Sequence, residues 1–306
     1  MLNRPVSPPR SCLHLVPRLV LLLLMVTSHA YGQTAQERID RKIPLDPDGS
    51  LRIYNMTGSV RVEAWDRDTV AVTGTKSGGS STRFFIGGSR RGAKFGIEGP
   101  LEIDQPPAHL VVRVPARARV WIKSATANVT LTGLRGGADV FSTSGNIHFE
   151  GSPDQLNLET MDGNIEIEAD GAWIRAKTAS GTIVFRGSGE DAAASTVSGN
   201  ITLLSGGMRR ARAETVSGDI GFAGALTRDG SLMIESHSGR VDVLLPADLS
   251  AQFDVSSYHG SIRNDFAPEN APSHQPSGEE LHFTAGAGGA GVNIKTFKGS
   301  IILRKK

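Results

Sequence analysis

Apolar and polar residues alternate along most of this chain, and the alternation recurs with a regular period. The first segment of each repeat reads apolar-x-apolar-x-Thr/Ser, as in Leu156, Leu158 and Thr160. The second segment reads Ile/Val-x-apolar, as in Ile165 and Ile167. Alternation with period two is typical of a strand with one buried face, and the repeat lacks the spacing of an amphipathic helix. We therefore predict an all-β chain with two short strands per repeat.

A glycine separates the two segments of each repeat. Successive glycines lie 18, 18, 18, 19, 21, 21 and 39 residues apart, and a period near 20 is typical of a solenoid. A corner between strands needs either a positive φ or a close approach of coils, and glycine permits both. The sequence predicts a parallel β-solenoid, most simply a right-handed β-helix of about ten coils of 18–21 residues. The predicted corner glycines are Gly145, Gly163, Gly181, Gly199, Gly218, Gly239, Gly260 and Gly299.

The extent of the repeat predicts the domain organisation. Residues 119–306 are expected to form the repeat solenoid, and residues 33–118 an irregular β region that caps its open end. Residues 33–306 would then be one continuous domain. Two inserted loops are expected at residues 75–100 and 266–291, where Gly, Ser or Pro are frequent. The basic tail Arg304–Lys306 follows the last predicted strand, where it would discourage end-to-end stacking.

Residues 1–32 have the pattern of a secretory signal peptide. Three arginines precede an apolar run from Leu19 to Val26, and small residues permit cleavage near Ala30 or Gly32. We therefore expect an exported protein of the periplasm or cell surface. The only cysteine, Cys12, lies in this segment, so the mature chain would have no disulfide.

Removal of this segment changes the charge. The formal net charge moves from +2 to −1 when the three leader arginines are lost. A chain with nearly balanced charge gives no electrostatic reason to expect a nucleic-acid partner. Arg209, Arg210 and Arg212, together with the basic tail and the arginines of residues 83–94, are candidates for peripheral contact with an anionic membrane.

The chain resembles the DUF4097 family, a group of exported bacterial proteins known as "putative adhesins". The resemblance rests on the run Asn55–Val62 followed by Trp65-Asp66, on the Val114-Pro115 step, and on the serial Thr-x-Ser-Gly-Asn/Asp-Ile motif from 142 to 220. It covers most of residues 40–303. The resemblance implies a β-helix-like fold and an envelope or surface location. It supplies no catalytic residues, and the two insertions depart from the family pattern.

A polar residue follows the corner glycine in several repeats. These residues form a candidate surface patch that could hold glycan hydroxyls or calcium, although Asn and Asp also suit a corner by bonding to nearby backbone. No motif of metal ligands at suitable spacing occurs, so we expect neither a metal site nor a cofactor. The candidate patch consists of Asn146, Asn164, Asn200 and Asp219.

Three functions are compatible with these patterns. The first is a non-enzymatic, adhesin-like binding or scaffold module whose partner is an envelope glycan or protein. The second is a polysaccharide-modifying β-helix enzyme, in which acids such as Asp162 and Glu166 would act from one face. The third is a scaffold that polymerises through its solenoid ends. The sequence favours the first, because outward acids on a repeat protein usually serve solvation.

Overall fold

The computed structural model describes residues 36–77, 79–99, 105–266, 273–275 and 278–306, and the predicted signal peptide lies outside them. These residues form strands and one 3-10 turn, Gly79–Ser81, so the all-β prediction is confirmed. None of the described segments is a helix long and apolar enough to cross a membrane. The strands are β1 (Glu37–Pro44), β2 (Ser50–Tyr54), β3 (Gly58–Trp65), β4 (Thr69–Lys76), β5 (Arg83–Gly88), β6 (Gly92–Glu98), β7 (Ala108–Pro115), β8 (Arg119–Lys123), β9 (Asn128–Leu134), β10 (Gly137–Phe141), β11 (Ile147–Gly151), β12 (Gln155–Glu159), β13 (Ile165–Lys177), β14 (Ile183–Ser195), β15 (Ile201–Thr215), β16 (Ile220–Ser236), β17 (Val241–Leu245), β18 (Ala251–Ser257), β19 (Ile262–Asn264), β20 (Ser273–Gln275), β21 (Gly278–Ala285), β22 (Ala290–Thr296) and β23 (Ile301–Lys305).

Equivalent segments of successive repeats pair in parallel, in two columns. In the first column, Leu156 of β12 pairs with Ile174, which pairs with Ala192. In the second column, Ile165 pairs with Ile183, which pairs with Ile201. Each step therefore joins residues one repeat apart, and this register keeps the apolar positions on the inner face, which a slip of one residue would reverse.

Four strands are longer than the short strands that the repeat predicts. β13 to β16 contain 13, 13, 15 and 17 residues, because the second segment of one repeat continues into the first segment of the next without a break. Gly187 and Gly224 have φ values of 143° and 153° within these strands. Register shifts occur beside Gly187 and between Ser205 and Met208, so the bend between the columns is made by bulges.

Neighbouring strands do not follow chain order at the C-terminal side of the stack. β22 pairs with β16 on one side and β18 on the other, while β23 lies between β17 and β19. The last repeat of the chain is thus the penultimate one in space. The expectation that Arg304–Lys306 follows an end strand is therefore wrong, since β23 has a paired neighbour on both sides.

The spatial order of strands also departs from chain order at the N-terminal side of the stack. β2 pairs with β6 and β8, and β3 pairs with β7 and β9, all in parallel. The segments at residues 50–65 therefore lie directly against the repeats that begin at residue 119. The strands β6 and β7 stack on their other side.

Antiparallel strands close both sides of the stack. β4 pairs antiparallel with β7 and β1, and β5 pairs with β6. On the other side, β21 pairs antiparallel with β18 and β20. Both regions expected as loops thus contain strands, and the apolar alternation of Leu281 and Phe283, both buried, explains β21. These strands pair with backbone groups of β7, β6 and β18 that would otherwise be free to pair with another chain and promote aggregation.

The core is a stack of inward residues whose size varies along the two columns. In the second column, Phe149, Phe185 and Phe222 are almost fully buried. The first column contains Leu156 and Leu158 early, and Leu232 and Ile234 later. Between them β13 contributes Ile174 and Ala176, whereas the inward residues of β14 and β15 are only alanines, so the sheet can approach the opposite wall more closely there. These four are Ala192, Ala194, Ala211 and Ala213.

Candidate functional site

The predicted corner glycines all lie against a backbone carbonyl of the neighbouring coil. A Cβ built on any of the eight would lie 1.7–2.1 Å from such an oxygen. For Gly181 the oxygen belongs to Gly163, at 1.9 Å, and for Gly218 it belongs to Gly199, at 1.7 Å. None of the eight has a positive φ. Close approach between coils is therefore the reason that glycine suits these corners.

A Thr or Ser hydroxyl accompanies each corner, and the residue is buried at every corner except that of Ser142. The backbone nitrogen of Gly181 donates a hydrogen bond of 3.1 Å to Oγ1 of Thr178. That hydroxyl also contacts the carbonyl oxygens of Met161 and Gly163, at 3.1 and 3.2 Å. Thr178 is 6% exposed, so this hydroxyl satisfies backbone groups that water cannot reach. The same role recurs at Thr160, Thr196, Thr215, Ser236 and Thr296.

The candidate patch residues line up along one edge of the stack, but their side-chain oxygens bond to the next coil. Oδ1 of Asn146 accepts from the backbone nitrogen of Asn164 at 2.9 Å, and Oδ1 of Asn200 accepts from that of Asp219. Oδ1 of Asp219 accepts from the backbone nitrogen of Arg240 at 2.8 Å. These atoms therefore hold coils together, which leaves less of the patch for a ligand.

The acids considered for catalysis are also engaged by neighbours. Glu166 forms an ion pair with Arg186 at 2.7 Å and lies 3.5 Å from His148. Asp162 accepts a hydrogen bond of 2.9 Å from the hydroxyl of Ser180. The two acids lie on different parts of the coil, Asp162 at the corner and Glu166 in β13. The structure does not place them as a facing pair.

A concave face on the first column forms a recess among the described residues. It encloses about 1130 Å³ and runs across β12 to β16, β22, β18 and β21. We call it the groove. It lies over β14 and β15, whose inward residues are the four alanines, and the outward residues Ala193 and Ser195 of β14 are also small. Its polar lining includes Asn157, Arg175, Lys177, Asp191, Arg210, Arg212, Glu214, Gln252, Asp254, His282 and Asn293.

Two arginines flank one carboxylate at the edge of the groove. Asp191 accepts from Arg175 at 2.9 Å and from Arg210 at 3.0 Å. Both guanidinium groups also lie over the ring of Trp173, at 5.2 and 5.9 Å from its centroid. Trp173 is 50% exposed. The arginines are thereby held in place beside an open aromatic surface.

Other charges of the groove are paired as well. Arg212 forms an ion pair with Glu214, and on the far rim His282 lies 3.3 Å from Asp254. Just outside the groove, Arg209 pairs with Glu190 at 3.0 Å. The three arginines of residues 209–212 singled out for membrane contact therefore have acidic partners. Their mixed charges suit a polar ligand of low net charge.

Sequence reasoning missed the groove. The available signal was the pairing of alanines at inward positions with charged residues at the outward position between them, as in Ala211-Arg212-Ala213. The position of Trp173 at outward parity was a second signal. Neither could be interpreted without knowing which coils are neighbours, since the groove needs β22, β18 and β21 as its far wall.

Two titratable groups outside the groove have shifted pKa values. Hydrogen bonds from the hydroxyl and backbone nitrogen of Ser188 lower the pKa of Asp170 below its ordinary value. A hydrogen bond and charge attraction to Asp242 raise the pKa of Arg304. Among the residues that the structure describes, no three His, Cys, Asp or Glu side chains are grouped so as to hold a metal ion.

These features define a repeat-built, all-β protein with a recessed polar face. The family model described as Toastrack DUF4097 matches residues 174–304, and the resemblance to this family is confirmed there. The matched residues include most of the groove. The motifs at residues 55–62 and 114–115 precede the match.

Solved structures share the fold at low sequence identity. A "putative adhesin" from Parabacteroides merdae is 13% identical, with 88% of this chain and 97% of that chain covered and a TM-score of 0.50. A "putative lipid binding protein" from Parabacteroides distasonis is 11% identical, with the same coverage and a TM-score of 0.52. No curated protein matches the chain in sequence. These similarities concern the fold.

Proposed function

We propose that this chain is a non-enzymatic, exported binding module of the bacterial cell envelope, and that the groove is its recognition surface. The main support for this proposal is the recess over the alanine positions, which is bordered by Trp173 and the ion-paired arginines. We also propose that the coils wind as one right-handed parallel β-solenoid of about ten coils, for which the repeat-by-repeat parallel pairing is the support.

An envelope glycan suits the groove best. Its charges are of both signs and its arginines are already paired with carboxylates, so a ligand rich in hydroxyl groups can exchange hydrogen bonds with them without a large change in net charge. Trp173 offers an exposed ring on which the apolar face of a sugar can pack. The names of the two similar proteins, an adhesin and a lipid-binding protein, agree with a binding role.

The test measures retention and sugar release together. Purified protein is incubated with isolated envelope and with soluble envelope polysaccharides, and bound protein and released sugar are both assayed. We expect retention without release. Trp173→Ala should reduce retention severalfold, while Leu204→Ala, which removes an exposed apolar side chain outside the groove, should not.

Two results would contradict this proposal. Release of reducing ends or unsaturated sugars, abolished by Glu166→Gln, would contradict the proposal and favour the polysaccharide-modifying enzyme. Equal retention of the wild type and Trp173→Ala would show that the groove beside Trp173 is not the binding surface.

A further inference from the structure

Exposed apolar side chains form a line along one corner of the stack. The line consists of the residue that follows the buried Thr or Ser in six adjacent repeats, from Thr160 to Thr296. We call it the corner stripe. Five of the seven exposed large apolar side chains among the described residues belong to this line of corners, with exposed fractions of 38–58%. An apolar line of this length on a polar surface marks an interaction site. In spatial order the stripe is Met161, Ala179, Val197, Val216, His237 and Phe297, and Tyr258 extends it by one coil.

The stripe is regular because each residue is hydrogen-bonded to the adjacent coil. The backbone nitrogen of Val197 donates to the oxygen of Ala179 at 3.1 Å, and that of Val216 to Val197 at 3.2 Å. The rings of His237 and Phe297 stack at 4.9 Å, and those of Phe297 and Tyr258 at 5.1 Å. With steps of about 4.8 Å, six positions extend about 24 Å.

A row of polar residues lies on each side of the stripe. The inner row precedes the buried Thr or Ser, and the outer row follows the stripe residue. Both rows follow the spatial order of the stripe. The inner row is Glu159, Lys177, Ser195, Glu214, Glu235 and Lys295. The outer row is Asp162, Ser180, Ser198, Ser217, Ser238 and Lys298.

The charges of each row are complementary to those of the same row in a second copy that runs in the opposite direction. We propose that a second copy of this chain docks on the corner stripe, related by a two-fold axis that passes between Val197 and Val216 and crosses the stripe at right angles. Each position then faces its mirror position, the first facing the sixth. Met161 would meet Phe297 of the other copy, and Val197 would meet Val216. This is an isologous interface, with the same surface on both copies.

The charges select this arrangement. In the inner row, Glu159 faces Lys295 and Lys177 faces Glu235. In the outer row, Asp162 faces Lys298, and the remaining positions are serines. The docking mode with the axis along the stripe is disfavoured instead, because Glu159 would face Asp162 and Lys295 would face Lys298. Like charges across an interface are a strong obstacle to docking.

The proposed axis also places the grooves of both copies on the same side of the dimer. It preserves the direction from the stripe towards the inner row, and Lys177 and Glu214 of that row border the groove. Both grooves therefore open on the same side of the dimer. Two linked sites raise the avidity for a repetitive ligand without any new contact.

Sedimentation equilibrium tests the association. The chain from residue 33 onward, which contains no cysteine, should change from monomer to dimer between micromolar and millimolar concentrations. Val197→Asp should abolish the dimer, because the substitution places a carboxylate in the stripe of both copies. Leu204→Asp, a matched change at an exposed residue off the stripe, should leave the dimer intact. A wild type that stays monomeric throughout this range would overturn the proposal.

Charge reversal and crosslinking test the orientation, and both use exposed positions, so we expect the variants to fold. Lys177→Glu should weaken the dimer about fivefold, and adding Glu235→Lys should restore it. Met161→Cys mixed with Phe297→Cys should form a disulfide between the two chains on oxidation, while neither variant should do so alone. Crosslinking of Met161→Cys with itself, or no rescue by Glu235→Lys, would contradict the antiparallel arrangement.

Discussion

The backbone nitrogen of Thr182 donates a hydrogen bond of 2.8 Å to Oδ1 of Asn164, the equivalent residue one coil earlier. The same bond joins Asn146 to Asn164, so the polar residues after the corner glycines tie each coil to the next. A residue type that suggested a ligand site thus has a structural role in the stack.

Asn164→Ala should reduce the free energy of unfolding by about 0.5–1.5 kcal/mol, because it removes the acceptor of an inter-coil hydrogen bond. Urea unfolding followed by circular dichroism measures this change. Thr182→Ala is the matched control, since Thr182 occupies the next position of the same edge and its hydroxyl makes no such bond. Equal losses in the two variants would refute the role of the ladder.

Gly181→Ala should destabilise the chain by about 1–3 kcal/mol, because its Cβ would lie 1.9 Å from the carbonyl oxygen of Gly163 and the coils must separate. Gly221→Ala is the control, since no heavy atom lies within 4 Å of the position that its Cβ would occupy. That variant should match or exceed the wild type in thermal melting. Tolerance of Gly181→Ala would mean that close approach is not what the corner requires.

Ile183→Asp should prevent stable folding, with a loss of about 4 kcal/mol or more, because the carboxylate would enter the core where Ile183 is 0% exposed. Val184→Asp is the control, since Val184 points outward from the same strand. Thermal melting and the yield of soluble protein report the difference. An Ile183→Asp protein that melts like the wild type would show that the inward assignment is wrong.

Stability should fall in acid in part through Asp170. Its pKa is lowered in the folded chain, so its contribution is complete above the unfolded-state pKa of about 3.9 and is lost as the pH falls through the folded value. Unfolding free energies at pH 5 and below pH 3 should differ less in Asp170→Asn than in the wild type. Asp248→Asn, which removes an exposed carboxylate without such hydrogen bonds, should keep the wild-type difference.

The sequence by itself determined the features that are set within one repeat or between adjacent repeats. Alternation with period two predicts which residues point inward, and Ile165, Ile183 and Ile201 are all buried in one column. The spacing of the glycines predicts where coils turn, because a Cβ at those corners meets the neighbouring backbone. Both properties repeat every 18 to 21 residues and depend on contacts between adjacent repeats, so a single sequence displays them directly.

The tertiary structure alone decided which repeats become neighbours where the regular spacing ends. β22 and β23 lie between segments that precede them in the chain, and β2 and β3 contact repeats some 70 residues later. Such pairings are chosen by competition among long-range partners, which local alternation does not encode. The groove, its far wall and the order of the corner stripe all depend on this choice, and for that reason they emerged only from the folded chain.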